Sequence, residues 1–305
     1  MRTVHIIIAA TKAGLFDWAY NNITVPNVQI FPYVADDPNA TFHPPANKGH
    51  EALAYLTYIH DFYDELPDIS IFVHDTDNAW HNDPITESTL TYALNHLDLD
   101  DVKTRGYLNL RVDWGNGCPA WINTSVTLDS PNYTKQKSEE AHLSPFLKEI
   151  FPSDPVPEIF GAQCCSQFAA TRQAIQSRPR EVYQKQIDWI LTTTLEDAVS
   201  GRVFEHMWPY LFIGKAIDCP EEYKALCRQY HICFESQEAF DLWNGVQTTI
   251  EAGHKQYAAD KAVDFTNDKL DHELQTLEPI VKKWKEEAIE RGKSKWSRWK
   301  IAGEL

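Results

Sequence analysis

The segment His74-Asp75-Thr76-Asp77-Asn78-Ala79-Trp80-His81 concentrates more chemically capable side chains than any other stretch of the chain. It follows the apolar run Ile69–Val73, which reads as a short buried strand. In open α/β sheets, ligands bind beyond the carboxyl ends of strands. Asp75 and Asp77, one residue apart, can share a divalent cation or hold a cationic group. His74 or His81 can act as a base near neutral pH, and Trp80 supplies an aromatic wall. The plainer alternative is that the acids cap the next turn and the histidines are polar surface.

Three further clusters carry possible chemistry. Asn47-Lys48-Gly49-His50-Glu51 opens a helix, where free backbone N–H groups beside Lys48 suit an anion or a carbonyl oxygen. Asn47 could equally be an N-cap, with Glu51 in the first turn. Gln163-Cys164-Cys165-Ser166 reads as a strand-to-helix junction, where a helix N-terminus would lower a thiol pKa. Buried, inert cysteines are the alternative. Glu205 lies among apolar and aromatic residues in Arg202–Trp208, so it is either a general acid or base, a cation ligand, or a satisfied structural acid.

The elements that must position these residues alternate. Val4–Ala10 and Val28–Val34 read as strands, residues 48–63 as a helix, Ile69–Val73 as a strand and residues 86–97 as a second helix. That order predicts an α/β fold with a mainly parallel sheet and flanking helices, of which a glycosyltransferase-A-like sheet is one version. Residues 113–158 are rich in Pro, Asn, Ser and Asp and read as surface loops. From Ser166 onward the chain reads as helical, with helices expected over 168–176, 182–199 and 203–212, then near 220–230, 237–252 and 255–276, and a last one starting at Pro279. The expected organisation is a catalytic core over 1–213 and a helical extension over 214–305.

The 305 residues carry a formal net charge of −16, which disfavours nucleic acid and anionic membranes over most of the surface. Residues 281–305 reverse this: they carry +4 and leave −20 on the remainder. Leu277, Val281, Trp284 and Ala288 form an apolar stripe by which this helix would dock, and its other face is basic. Beyond it, Lys293, Lys295, Trp296, Arg298, Trp299 and Lys300 interleave cations with indoles, which suits phosphate contacts and base stacking. A solvated basic face is the alternative. No apolar run approaches the ~18 residues of a membrane span, and the N-terminal run is too short for a secretory signal. A cytoplasmic chain without membrane contact is therefore expected, with its six cysteines reduced. Asn22, Asn39, Asn123 and Asn132 fit the glycosylation pattern and argue the other way. There is no Cys-x-x-Cys pair and no Walker A sequence, so neither a metal nor a nucleotide cofactor is expected.

Several motifs, taken in order, resemble a fungal protein family first catalogued as a domain of unknown function. They are Asp17-Trp18 after the opening strand, residues 47–52, Tyr55–Ile59, Tyr63–Asp68, Phe72–His74, Trp80-His81, Tyr107–Arg111, Cys164-Cys165 to Phe168, and Arg202–Trp208. The resemblance covers roughly residues 4–213. Typical members look membrane-anchored or secreted and end near the position of Phe212, whereas no anchor is expected for this chain, which adds about ninety residues. With that extension it looks like the fungal arginine-containing cyclodipeptide synthases. The resemblance implies an aminoacyltransferase of secondary metabolism that joins arginine and a second amino acid, both taken from aminoacyl-tRNAs, as a diketopiperazine. Together with the residue reading above, this makes His74, Asp75, His81 and Glu205 the expected catalytic residues and Asn47, Lys48, Glu51, Asp77, Trp80, Arg111 and Cys165 the expected substrate contacts, with Asp75, Asp77 and Glu205 the carboxylates available to an arginyl guanidinium. The basic tail would take the tRNA. Two other readings stay open. One is a glycosyltransferase-like enzyme holding a metal and a sugar nucleotide through Asp75-Thr76-Asp77. The other is a non-catalytic RNA- or protein-binding module. Metal dependence separates the first from the synthase, and point variants that bind but do not turn over separate an enzyme from a module.

Overall fold

The computed structural model describes residues 2–115, 117–262 and 267–303. Eight strands are present among them: β1 (Val4–Ala10), β2 (Val28–Val34), β3 (Ile69–His74), β4 (Tyr107–Asn109), β5 (Ile122–Asn123), β6 (Ile159–Ala162), β7 (Phe168–Thr171) and β8 (Ile217–Asp218). The helices are α1 (Asp17–Asn22), α2 (Glu51–Asp61), α3 (Leu90–His96), α4 (Leu99–Arg105), α5 (Glu140–Ile150), α6 (Arg172–Ile175), α7 (Arg180–Thr192), α8 (Asp197–Glu205) and α9 (Trp208–Ile213). They continue with α10 (Glu222–Gln229), α11 (Gln237–Ala262), α12 (Asp268–Gly292) and α13 (Lys295–Ala302).

The chain divides into two compact units, Met1–Cys219 and Pro220–Leu305. The first is an α/β unit built on a five-stranded sheet in the order β2-β1-β3-β7-β4. β1 runs parallel to both β2 and β3, while β7 runs antiparallel to β3 and to β4. The sheet is thus mixed: four strands share one direction and β7 opposes them. β1 is buried almost throughout, because helices cover the sheet. On one face, α2 packs over β1 and against α7 and α8. Tyr55 of α2 lies 5.1 Å from Phe72, 5.9 Å from Phe168 and 6.1 Å from Trp208, ring centre to ring centre. These aromatics fill the core beneath the site. A smaller sheet, β5-β6-β8, closes the unit, and the Cys118–Cys219 disulfide ties its C-terminal end to the loop before β5.

Several expected elements differ. Residues 168–171 form β7 rather than the start of a helix, because the small residues Ala169 and Ala170 fit between β3 and β4 in the sheet. Residues 113–158 are not all loop: they contain α5, whose interior Pro145 masks the helix in the local pattern. The pattern over 182–199 breaks into α7 and α8. Pro279 lies inside α12 instead of opening a helix.

In the second unit, α11 and α12 pack on each other. Gly253 permits the approach, since a Cβ there would lie 2.7 Å from Leu274. Val281 and Ala288 of the apolar stripe are buried within this unit, and the Trp243 indole donates to the Val281 carbonyl at 3.1 Å. Among the described residues, no helix is long and apolar enough to cross a membrane.

Candidate active site

The register of the parallel strands sets the site. Ala9 pairs with His74 and Ala10 with Val34, so β1, β2 and β3 end together. The small Ala9, Ala10 and Ala35 leave a cavity of about 380 Å³ there, which Asn47, His50, Glu51, His74, Asp75, Thr76 and His81 also line. This is a volume suited to a small ligand.

Each polar wall has its own support. Gly49 (φ 68°) and His50 (φ 51°) both adopt left-handed backbone and swing the chain into α2 so that Glu51 enters the cavity. Gly201 of α8 lets that helix approach, as a Cβ there would meet His50 at 3.1 Å. Asp75 follows β3, and the Trp18 indole donates to its carbonyl at 2.8 Å. Gly14 presses on its carboxylate: a Cβ there would lie 2.2 Å from Asp75 Oδ2. A line of buried amides fixes the loop beyond β3. The His74 amide donates to Gln167 Oε1 (3.2 Å), Gln167 Nε2 donates to Asn82 Oδ1 (2.8 Å), and Asn82 Nδ2 donates to the Asp77 carbonyl (2.7 Å). The His74 and His81 rings meet edge to face at 4.6 Å.

Electrostatics separate the groups by role. Burial pulls His74 down to about 4, against the opposing pull of Glu205 and Asp75. Burial, helped by His74, pulls His81 down to about 4 as well, against Glu51 and Glu205. Both imidazoles are therefore neutral near pH 7. Burial pushes the Glu51 carboxyl up from its ordinary value, against hydrogen bonds from its own amide and the Ser166 hydroxyl and the pull of His50 and His81. Burial, Glu51 and Asp75 also raise the Tyr55 phenol. Three buried polar atoms here, Tyr55 OH, His74 Nε2 and His81 Nδ1, have no hydrogen-bond partner among the described residues. A buried polar atom left unpaired costs roughly 1–3 kcal/mol, so this cluster has the character of a site prepared for a ligand.

His74, Asp75, His81, Asn47 and Glu51 thus come together in one cavity. Asn47 does not cap α2, whose N-cap position is His50. Glu205 stands beside the cavity: it acts electrostatically on both His74 and His81, and its Oε1 accepts the Cys165 amide at 2.7 Å. Other expected contacts point elsewhere. Asp77 accepts from the Thr91 amide (2.7 Å) through Oδ1 and from the Thr91 hydroxyl (2.9 Å) through Oδ2, which ties it to the first turn of α3. Lys48 Nζ donates to the carbonyls of Leu191 (3.2 Å) and Thr193 (2.5 Å) at the end of α7, where the helix dipole favours a cation. Arg111 Nη1 donates to the carbonyls of Trp80 (3.0 Å) and His81 (3.3 Å), so it holds the loop from behind. Trp80 is 72% exposed, and its ring lies tilted over His81 with centroids 4.0 Å apart. The tail residues belong to the second unit, with Trp296 and Trp299 exposed and the Arg298 guanidinium donating to the Gly292 carbonyl at 2.6 Å.

The cysteines correct the expectation of reduced thiols. All six are paired, as Cys118–Cys219, Cys164–Cys165 and Cys227–Cys233. The segment 163–167 joins two strands, not a strand and a helix, so the dipole argument for a reactive Cys165 thiol falls away. Disulfides persist in oxidising compartments, which weighs against the cytoplasmic expectation. Tyr55 and Ser166 join the site without having stood out in the sequence. Tyr55 stands one helical turn after Glu51, a spacing that could have revealed it.

Residues 6–228 match the family described as "Protein of unknown function (DUF3431)". The chain belongs to this family. No curated protein and no solved structure matches it. Of the motifs that carry the resemblance, residues 47–52, Phe72–His74 and Trp80-His81 each contribute to the lining of the cavity, namely Asn47, His50 and Glu51, His74, and His81.

Proposed function

We propose that the chain is an aminoacyltransferase that joins arginine and a second amino acid, delivered as aminoacyl-tRNAs, into a cyclic dipeptide. The observation that carries this reading is the set of opposed acid–base groups in one cavity: two neutral imidazoles, His74 and His81, facing a carboxyl, Glu51, whose proton affinity is raised. Acyl transfer from an ester needs that division of labour. The amine of one aminoacyl group attacks the ester carbonyl of the other; a C–N bond forms and the C–O bond to the tRNA ribose breaks. His81 or His74 takes the ammonium proton, and Glu51 gives one to the leaving ribose hydroxyl. The same exchange, repeated within the dipeptidyl ester, closes the ring. The ester arrives activated, so the chemistry calls for no nucleotide.

Asp75, half-buried on the cavity wall, is the carboxylate for the arginyl guanidinium. Glu205 acts electrostatically on both imidazoles and partly offsets the burial that keeps them neutral. The basic α13 with Trp296 and Trp299 is the surface for tRNA. The metal-dependent glycosyltransferase alternative loses its main support, since both oxygens of Asp77 are taken by Thr91. Charged tRNA belongs to a reducing compartment, so this reading also requires activity with the thiols reduced. The test is incubation of pure protein, with and without a thiol reductant, with arginyl-tRNA plus a pool of other charged tRNAs. An arginine-containing diketopiperazine in the mass spectrum supports the reading. Hydrolysed esters without cyclic product, or transfer from a sugar nucleotide plus manganese, overturns it.

A further inference from the structure

The connection between β6 and β7 places Cys164 and Cys165 side by side, and two of its residues adopt left-handed backbone, Cys165 (φ 89°) and Ser166 (φ 48°). Side chains rarely adopt that conformation, and it persists where the surroundings hold it and function uses it. The surroundings here include Glu205, which arrives from the end of α8 and accepts the Cys165 amide at 2.7 Å. Both sulfurs and a Glu205 carboxylate oxygen lie within 4.8 Å of one another. Two elements distant in sequence thus converge two sulfurs and one oxygen on a single point. We propose that reduction of the Cys164–Cys165 disulfide creates a binding site for one thiophilic divalent cation of the zinc class, held by the two thiolates and the Glu205 carboxylate.

The chemistry balances with a dithiol as reductant. The dithiol gives two electrons and two protons to the Cys164–Cys165 bond and closes its own disulfide, leaving two thiols. The cation displaces both thiol protons to solvent. Two thiolates and a carboxylate then carry three negative charges against two positive, a donor set of the borderline-soft kind that zinc takes. Zinc bonds of ~2.3 Å to sulfur and ~2.0–2.2 Å to carboxylate oxygen fit donors that start within this span. Three protein donors leave a fourth position open, the pattern of zinc sites that also take water or substrate. The Cys165 amide, already bonded to Glu205, orients the carboxylate from outside the donor set. In the oxidised chain the sulfurs are spent on each other, so the site exists only after reduction. Nothing in this inference depends on the acyl-transfer reading.

Cobalt(II) is the probe, because thiolate ligation gives it intense charge-transfer absorption. The whole chain is reduced with a dithiol, desalted under anaerobic conditions and titrated with cobalt. Bands that saturate at one equivalent in the reduced chain and are absent from the oxidised chain are expected. Glu205→Gln should weaken the reduced chain's affinity at least ~10-fold, a common loss when a metal site is disturbed. Absence of the bands after reduction overturns the proposal, as does their persistence in Cys164→Ser/Cys165→Ser, which would place the ion on the other cysteines. In case that variant does not fold, the wild-type chain supplies a second reading through alkylation mapped by mass spectrometry. Zinc should protect Cys164 and Cys165 from alkylation, and protection confined to Cys118, Cys219, Cys227 or Cys233 would equally overturn the proposal.

Discussion

Asp75 owes its place to a neighbour without a side chain. Gly14 lies so close that any Cβ would displace the carboxylate, and Trp18 fixes the carbonyl behind it. If Asp75 accepts a guanidinium, Asp75→Asn should cost about 1.5–3 kcal/mol of arginine recognition, the range for a hydrogen bond to a charged group. That corresponds to roughly a 10- to 150-fold fall in kcat/KM for arginyl-tRNA, with the partner amino acid little affected. Steady-state kinetics with each charged tRNA varied in turn would read this, and an equal fall for both substrates would remove Asp75 from the arginine site. The imidazoles give a pH prediction. A base must be neutral, and a histidine lowered from 6.5 to about 4 becomes protonated only near the lower value. The acid limb of kcat/KM should therefore fall toward pH ~4–5, well below the ordinary histidine range. A limb centred near 6.5 would assign the base to a solvent-exposed group instead. At this scale His74, Asp75, His81 and Glu51 are legible in the sequence, because strand-end and helix-start positions are visible as patterns. The same patterns also suggest Asp77, Lys48 and Arg111, whose partners, Thr91, the end of α7 and the backbone of Trp80-His81, come from other parts of the chain and leave no local trace.

At the scale of elements, the entry to α2 depends on a glycine. Gly49 is left-handed, and a Cβ there would lie 2.8 Å from Ile190 of α7. Gly49→Ala combines an unfavourable backbone with overpacking, so it should destabilise the folded chain by roughly 2–4 kcal/mol. Urea unfolding monitored by tryptophan fluorescence would measure it, and a change under about 0.5 kcal/mol would mean that the turn relaxes freely. β1, β2 and β3 are legible because each is a continuous apolar or alternating run of strand length. β7 is not, since Phe-Ala-Ala-Thr is too short to declare a period and joins the sheet only through pairing with β3 and β4. Reading that stretch as helix also misplaces Cys164 and Cys165 at a helix start. α12 runs through Pro279 for a comparable reason: burial of Leu274, Val281 and Ala288 along one side holds a helix that local propensity alone would break.

At the scale of the whole molecule, charge and cysteines pull in opposite directions. The chain is strongly acidic outside residues 281–305, so a phosphate backbone, if one binds, would be attracted to that segment. Neutralising Lys293, Lys295, Arg298 and Lys300 together should weaken tRNA binding and flatten its salt dependence, by a log–log slope of about 0.7 for each single-strand phosphate that no longer meets a cation. Trp296 and Trp299, both exposed, would each add about 1–3 kcal/mol if a base stacks on them. Filter binding across a salt series checks this, and an unchanged slope would reduce the tail to a solvated helix. Against the tRNA reading stand three disulfides and the exposed acceptor residues Asn22, Asn39 and Asn132, which fit an oxidising, glycosylating route. Both signals are present in the sequence, but it cannot weigh them, because sulfur pairing depends on distances that only the fold supplies. The central claim, acyl transfer from tRNA in the cavity around Glu51, is tested most directly by one comparison. Wild-type chain and Glu51→Gln, each shown to be folded, are mixed with arginyl-tRNA and a second charged tRNA, and cyclic dipeptide is counted by mass spectrometry over time. The account predicts an arginine-containing diketopiperazine from the wild type and a rate roughly 10²–10⁴-fold lower from the variant, the range for loss of a general acid. No cyclic product from the wild type, or equal rates from both, would contradict it.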